Sequence, residues 1–190
     1  FSTPEIKAIC VDYTKAFEIP FDLAKKRIGC FLGSSIGNFN KSKALDFLKR
    51  TKKSLGDGGE LLLGVDMKKS AEILNKAYND SAGITERFNL NILNHINKLC
   101  VAEFDPINFA HLAAYDENLG CVQMHLVSEV EQKISVMNTE IALSKEEKIH
   151  TEDSYKYSPS EIESLAMEAG FNKSVSWFDS KKYFGLFYFS

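Results

Sequence analysis

Along the first third of this chain, short apolar runs that stop on an acid or a glycine alternate with segments of helical period. Ile6-Lys7-Ala8-Ile9-Cys10-Val11-Asp12 is brief and rich in β-branched residues, the pattern of a buried parallel strand, and it ends on an acid. A second run, Arg27-Ile28-Gly29-Cys30-Phe31-Leu32, gives way to Gly33-Ser34-Ser35-Ile36-Gly37-Asn38, where small and polar residues predict a loop at a strand's carboxyl end. Ser42 then precedes a segment in which Ala44, Leu45, Leu48 and Leu55 share one helical face, and Gly56-Asp57-Gly58-Gly59 supplies its C-cap and turn. Glu60-Leu61-Leu62-Leu63-Gly64-Val65-Asp66 reads as a third buried strand. Strand, loop, helix and strand in this order predict a βαβ unit in a parallel sheet.

The pattern changes after Met67. Helical stretches are expected around Ser70 to Tyr78 and Thr85 to Leu99, and strands near Val122 to Ser128 and Lys133 to Met137. Ser158, Pro159 and Glu161 form a capping-box start for another helix, which Gly170 ends. Ser174 to Phe178 and Tyr183 to Phe189, split by Asp179-Ser180-Lys181-Lys182, predict an antiparallel hairpin at the sheet edge. The organisation expected is a sheet-forming core in 1–66, an inserted α+β subdomain in 67–157, and a return to the core in 158–190.

Composition narrows the function. At 190 residues, 44% apolar and 26% charged, the chain has enough apolar surface to fold as a globular domain. A formal net charge of -3 gives no overall drive toward nucleic acid, and the apolar runs are too short to span a membrane as helices. A soluble protein with neither as partner is expected. Cys10, Cys30, Cys100 and Cys121 are scattered, as are the four histidines, so reduced thiols in the cytoplasm and no metal site are the reading.

Ligands of open α/β sheets sit beyond the carboxyl ends of strands, which points to Asp12-Tyr13, Gly33 to Asn38, and Asp66. The loop is not GxGxxG and lacks a phosphate-binding lysine, and on residues alone it reads equally as a tight turn. Asp12 alone reads as a turn cap. Four asparagines, Asn89, Asn91, Asn94 and Asn97, fall on an expected helix despite poor helical propensity. Glu152 and Ser154, two apart in an extended segment, share one face and suit the grip of a small polar ring, or else form ordinary strand surface.

Six runs then occur in order: Phe31-Leu32-Gly33-Ser34-Ser35-Ile36-Gly37-Asn38-Phe39, Leu63-Gly64-Val65-Asp66, Ala77-Tyr78-Asn79-Asp80, Gly83-Ile84-Thr85, Phe88-Asn89-Leu90-Asn91 and Thr151-Glu152-Asp153-Ser154-Tyr155-Lys156-Tyr157. Together they resemble the histidine-specific Nα-methyltransferases of ergothioneine biosynthesis. The resemblance implies a class I methyltransferase, with a Rossmann-like α/β sheet that is incomplete at its N-terminal side and carries an inserted α+β substrate-binding subdomain. It implies S-adenosylmethionine as cofactor and L-histidine as substrate, giving trimethylhistidine.

By the same resemblance, Asp12 and Tyr13 contact the cofactor's adenosine. Gly33 and Asn38 hold the substrate's α-amino end, Asn38 as an orienting group, and Tyr78 bonds its carboxylate. Met124 forms pocket wall, and Glu152, Asp153 and Ser154 lie in the stretch whose Glu152 and Ser154 recognise the imidazole. Thr85 and Phe88 are expected to border the pocket. The family's acid before Met124 is Gln123 here. The family's Gly-rich loop and second-strand acid have no counterpart in these residues, so an upstream segment is expected, with the chain alone binding cofactor poorly and either associating with itself through an uncovered edge or re-pairing the Ile6 to Asp12 strand. The alternatives are a methyltransferase for another amino acid, such as a tryptophan derivative, and a non-catalytic domain of the same fold.

Overall fold

Ile28–Phe31 (β1) and Glu60–Asp66 (β2) pair in parallel, with Ile28 opposite Glu60 and Phe31 opposite Leu63, so the expected βαβ unit is present. The computed structural model describes residues 6–15 and 27–190. The crossover helix, Lys41–Leu55 (α1), begins earlier than its sequence suggests. Asn40, not Ser42, caps it, its side chain accepting from the Lys43 N–H, because a cap must sit in extended backbone one residue before the first helical one. Gly56, at φ 74°, ends it in a conformation that only glycine adopts at low cost.

The strand expected over Ile6 to Asp12 is absent. Residues 6–12 carry no strand and are exposed throughout. A β-branched run supplies the preference for extended backbone, but a strand exists only where a ladder partner takes its N–H and C=O groups. Among the described residues β1 pairs with β2 alone.

Two helices follow. Ala71–Tyr78 (α2) is capped by Ser70, whose hydroxyl accepts from Ile73 N–H. Ile84–Cys100 (α3) starts after Gly83, and the Asp80 carboxylate accepts from the N–H groups of Ile84 and Thr85, both at 2.9 Å. Those two backbone donors hold the Asp80 carboxyl down at about 2. Phe109–Asp116 (β3), Cys121–Ser128 (β4), Gln132–Val136 (β5), Thr139–Leu143 (β6) and Lys148–Tyr155 (β7) complete this region. β3, β4 and β7 form one antiparallel sheet, while β5 and β6 form a hairpin turned by Met137 and Asn138, both at positive φ.

Asn89 is fully buried on α3, and its amide donates to the Nδ1 of His111 and the carbonyl of His125. Asn97 exchanges two hydrogen bonds with the backbone of Phe104. The Asn89 bonds pin α3 to the sheet and the Asn97 bonds tie it to the loop that follows, which explains two of its four unfavourable asparagines.

Pro159–Glu168 (α4) starts with the expected capping box between Ser158 and Glu161. Ser174–Phe178 (β8) and Phe184–Phe189 (β9) form the expected hairpin, and the sheet order is β1-β2-β9-β8, with β9 antiparallel to β2. Leu48, Leu63, Ile162 and Phe187 are sealed from solvent where α1 and α4 pack on this sheet. The chain just beyond β2 and the chain just beyond β7 are joined. Met67 bridges Tyr157, and the Lys68 N–H donates to the Tyr157 carbonyl at 2.9 Å, so the end of β2 lies beside the chain leaving β7.

Candidate active site

Beyond β1 the chain turns sharply at Ser34, which occupies the left-handed region at φ 56°. A non-glycine residue is held there by its own hydrogen bond: the Ser34 hydroxyl accepts from the Asp66 N–H at 2.8 Å, tying the loop to the end of β2. Residues Ser35–Asn38 then make a 3₁₀ turn whose Gly37 presses on β7. A Cβ on Gly37 would lie 2.7 Å from the Tyr155 carbonyl oxygen, so only a glycine lets Asn38 approach this strand so closely.

The opposite wall comes from α2 and β7. Strand alternation puts Glu152, Ser154 and the following Lys156 on one face. The Tyr78 hydroxyl, at the last turn of α2, lies 2.8 Å from the Ser154 hydroxyl. Between these walls lies a cavity of about 320 Å³ whose lining includes Gly33, Asn38, Tyr78, Glu152, Ser154 and Lys156, and also Ser34, Ser35, Asp66 and Phe184. Five of the expected site residues are therefore neighbours in space although they span 122 positions of sequence, from Gly33 to Ser154.

Charge is arranged in opposed pairs. Lys156, only 3% exposed, donates at 2.7 Å to both the Tyr78 and Ser154 hydroxyls and ion-pairs with Asp66 at 2.9 Å. Lys69 pairs with the other Asp66 oxygen. Glu152, by contrast, has no hydrogen-bond or ion-pair partner among the described residues, and burial pushes its carboxyl above the ordinary range while Lys156 opposes the rise. A carboxylate held half-buried, unpaired and facing a polar cavity is suited to accept an N–H from a ligand.

The remaining expected site residues fall elsewhere. Asp153 points away from the cavity because successive strand residues face opposite sides, and it bonds His150 at 2.8 Å and Gln123 at 3.3 Å. Gln123 shares that outer face, so the change from an acid there does not touch the cavity. Met124 sits opposite Glu152 across the ladder but is buried in an apolar cluster with Leu74, Ala113 and Val122, behind the Tyr78 ring. Thr85 contacts Asp80, and Phe88 is 61% exposed; neither lines the cavity.

Asp12 closes its own turn, accepting from the backbone and side chain of Thr14 and pairing with Lys15. Tyr13 packs edge-on against Phe31 and Phe47, with ring centres 5.8 and 6.5 Å away, and lines a separate open groove of about 950 Å³ with them.

Two cavity residues were not singled out from sequence as ligand contacts, Lys156 and Phe184. The signal for Lys156 was present: it continues the i, i+2 series of Glu152 and Ser154. Nothing in the sequence near Phe184 places it there.

All 190 residues match the model of a family described as histidine-specific, S-adenosylmethionine-dependent methyltransferases. The chain belongs to this family. It is 33% identical over 185 residues to histidine N-alpha-methyltransferase of Mycolicibacterium smegmatis, covering 96% of this chain and 57% of that protein. Ergothioneine biosynthesis protein 1 of Neurospora crassa is 33% identical over 90% of this chain and 19% of its own length. L-tryptophan methyltransferase trpM of Psilocybe serbica is 30% identical over 80% of this chain and 43% of its own length. The chain thus spans a little over half the length of the mycobacterial methyltransferase.

For the cofactor of this methyltransferase family, two described residues have fitting chemistry. The Asp12 carboxylate is exposed and the Tyr13 ring is half-exposed, an acceptor and a flat surface of the kind a ribose and a purine require. Phe31 lines the groove beside Tyr13, and Gly33, two residues further along the chain, lines the cavity.

Proposed function

We propose that the protein carrying this chain transfers methyl groups from S-adenosylmethionine to the α-amino nitrogen of L-histidine, giving trimethylhistidine. The observation that carries the proposal is the convergence of Asn38, Tyr78, Glu152 and Ser154 on one polar cavity. Its dimensions suit a single amino acid, and its groups match the donors and acceptors of histidine. Asp12 and Tyr13 would hold the adenosine portion of the cofactor, which supplies an electrophilic methyl group when bound.

In-line displacement at carbon needs no enzyme nucleophile; it needs the amine nitrogen aimed with its lone pair free. Asn38, beside Gly33 at the end of β1, orients the amine, and the Tyr78 hydroxyl meets the carboxylate. Glu152 accepts an imidazole N–H, with Ser154 on the same ring. Met124 supports the Tyr78 ring from behind. The polar wall selects histidine because an apolar side chain would leave the Glu152 carboxylate desolvated without a partner. The amine proton leaves to water or to the polar wall once the nitrogen is alkylated.

The three-stranded sheet and α2 and α3 support reading 67–157 as an inserted substrate subdomain, with 1–66 and 158–190 as the core. A cytoplasmic location accords with free Cys10 and Cys30 on the surface. Among the described residues no helix is long and apolar enough to cross a membrane, and the formal net charge of -3 gives no pull toward nucleic acid.

A substrate panel with the complete protein tests the function. With S-adenosylmethionine present, mass spectrometry should detect mono-, di- and trimethylated products from L-histidine, and no product from L-tryptophan. Methylation of tryptophan but not histidine would overturn the assignment, and transfer to neither would favour the non-catalytic domain.

A further inference from the structure

Lys156 is a buried cation that the reaction described above does not use. An ammonium group carries three N–H donors and no acceptor. All three are engaged: with the Tyr78 hydroxyl at 2.7 Å, the Ser154 hydroxyl at 2.7 Å and the Asp66 carboxylate at 2.9 Å. Its position 4.8 Å from the centre of the Tyr78 ring adds an attraction to the ring face.

Donor arithmetic then constrains the cavity. The Tyr78 and Ser154 oxygens both accept from Lys156, and they lie 2.8 Å from each other, so one of their two hydroxyl hydrogens fills the space between them. One hydrogen is left to face a ligand. We propose that Lys156 is a positioning residue of this cavity: donating to both oxygens and offering no acceptor, it leaves the hydrogen not shared between Tyr78 and Ser154 no partner on its own side and so directs that single donor to the amino acid. Asp66 holds the ammonium in place from the end of β2, and Lys69 pairs with its other oxygen. The role rests on the histidine reading above, since it acts through two of the groups proposed to touch that substrate.

A double-mutant cycle in the complete protein tests it, with L-histidine titrated calorimetrically in the presence of S-adenosylhomocysteine. Lys156→Met in the wild-type background should weaken histidine about tenfold or more, because two hydroxyls lose their charged donor and reorient. In a Tyr78→Phe, Ser154→Ala background the same replacement should change affinity by less than about twofold, the ordinary scatter of additive effects. Affinity for S-adenosylhomocysteine should stay unchanged in all four proteins. A loss of packing would instead weaken histidine by the same factor in both backgrounds, and that result, or no loss in the wild-type background, overturns the role of Lys156 while leaving histidine as the substrate. A wild-type protein that binds cofactor product but not histidine overturns the substrate reading and this role with it. Should Lys156→Met lose its near-ultraviolet dichroism, Lys156→Gln, which keeps a shorter two-hydrogen donor, takes its place in the same cycle.

Discussion

The Nζ of Lys156 lies 2.9 Å from Oδ2 of Asp66, and this contact joins the last residue of β2 to the chain leaving β7. Asp66 belongs to one sheet and Lys156 directly follows a strand of the other, and both line the cavity.

Breaking that pair should cost more than replacing it. Asp66→Ala leaves the Lys156 ammonium 3% exposed without its carboxylate, and should destabilise the protein by about 3 kcal/mol. Adding Lys156→Met should recover much of the loss, since an apolar group of similar length tolerates the site. Urea denaturation of the two variants reads this directly, and equal stabilities would show that the charge is not confined as the contact implies.

Stability and ligand affinity should separate at Glu152. Because burial raises its folded pKa above the ordinary value, ionisation of Glu152 opposes folding. Its contribution to stability is full below the ordinary carboxyl pKa and is lost as pH rises through the raised value. Glu152→Gln should therefore match or exceed the parent in thermal stability near neutral pH while weakening histidine by roughly tenfold to a hundredfold, the range for a lost hydrogen bond to a charged group. Parent affinity should also fall as pH drops through the raised pKa, a decline missing from the pH profile of the variant. Calorimetry that finds equal affinities across that range would remove Glu152 from the binding surface.

Packing at Gly37 should be similarly intolerant. Gly37→Ala places a methyl group 2.7 Å from the Tyr155 carbonyl oxygen, in backbone that cannot yield without moving β7. A destabilisation of about 1–3 kcal/mol is expected, together with weaker histidine binding as Asn38 withdraws from Glu152 and Ser154. A variant with parental melting temperature and affinity would show that the turn and strand part easily.

Local chemistry in the sequence was enough for several elements. The apolar run at Leu61 to Val65, the glycines after α1 and the Ser158, Pro159, Glu161 cap depend on neighbours within a few residues, so propensity and spacing report them. The same rules misread Ile6 to Asp12, where the pattern is strand-like but no ladder partner is present among the described residues. They passed over β3 and β6 as well. In β3, alanines and His111 dilute the alternation, and its pairing with β4 decides its extended form.

The motif resemblance located Gly33, Asn38, Tyr78, Glu152 and Ser154, and alternation along β7 put Glu152 and Ser154 on one face. Alternation also separates Asp153 from them, a distinction that listing a contiguous motif obscures. Lys156 obeys the same period and was legible on that ground, whereas the burial of its charge was not.

Sequence by itself determined the βαβ unit, the capped helices and the closing hairpin, because these rest on contacts between near neighbours along the chain. Tertiary structure alone decided that Asp66, Tyr78 and Lys156 share one hydrogen-bonded cluster, and that Met124 lies behind the cavity while Asp12 and Tyr13 lie outside it. Hydrogen bonds and burial act over a few ångströms in space, and the register of β4 against β7 and the Met67–Tyr157 bridge bring those distances about.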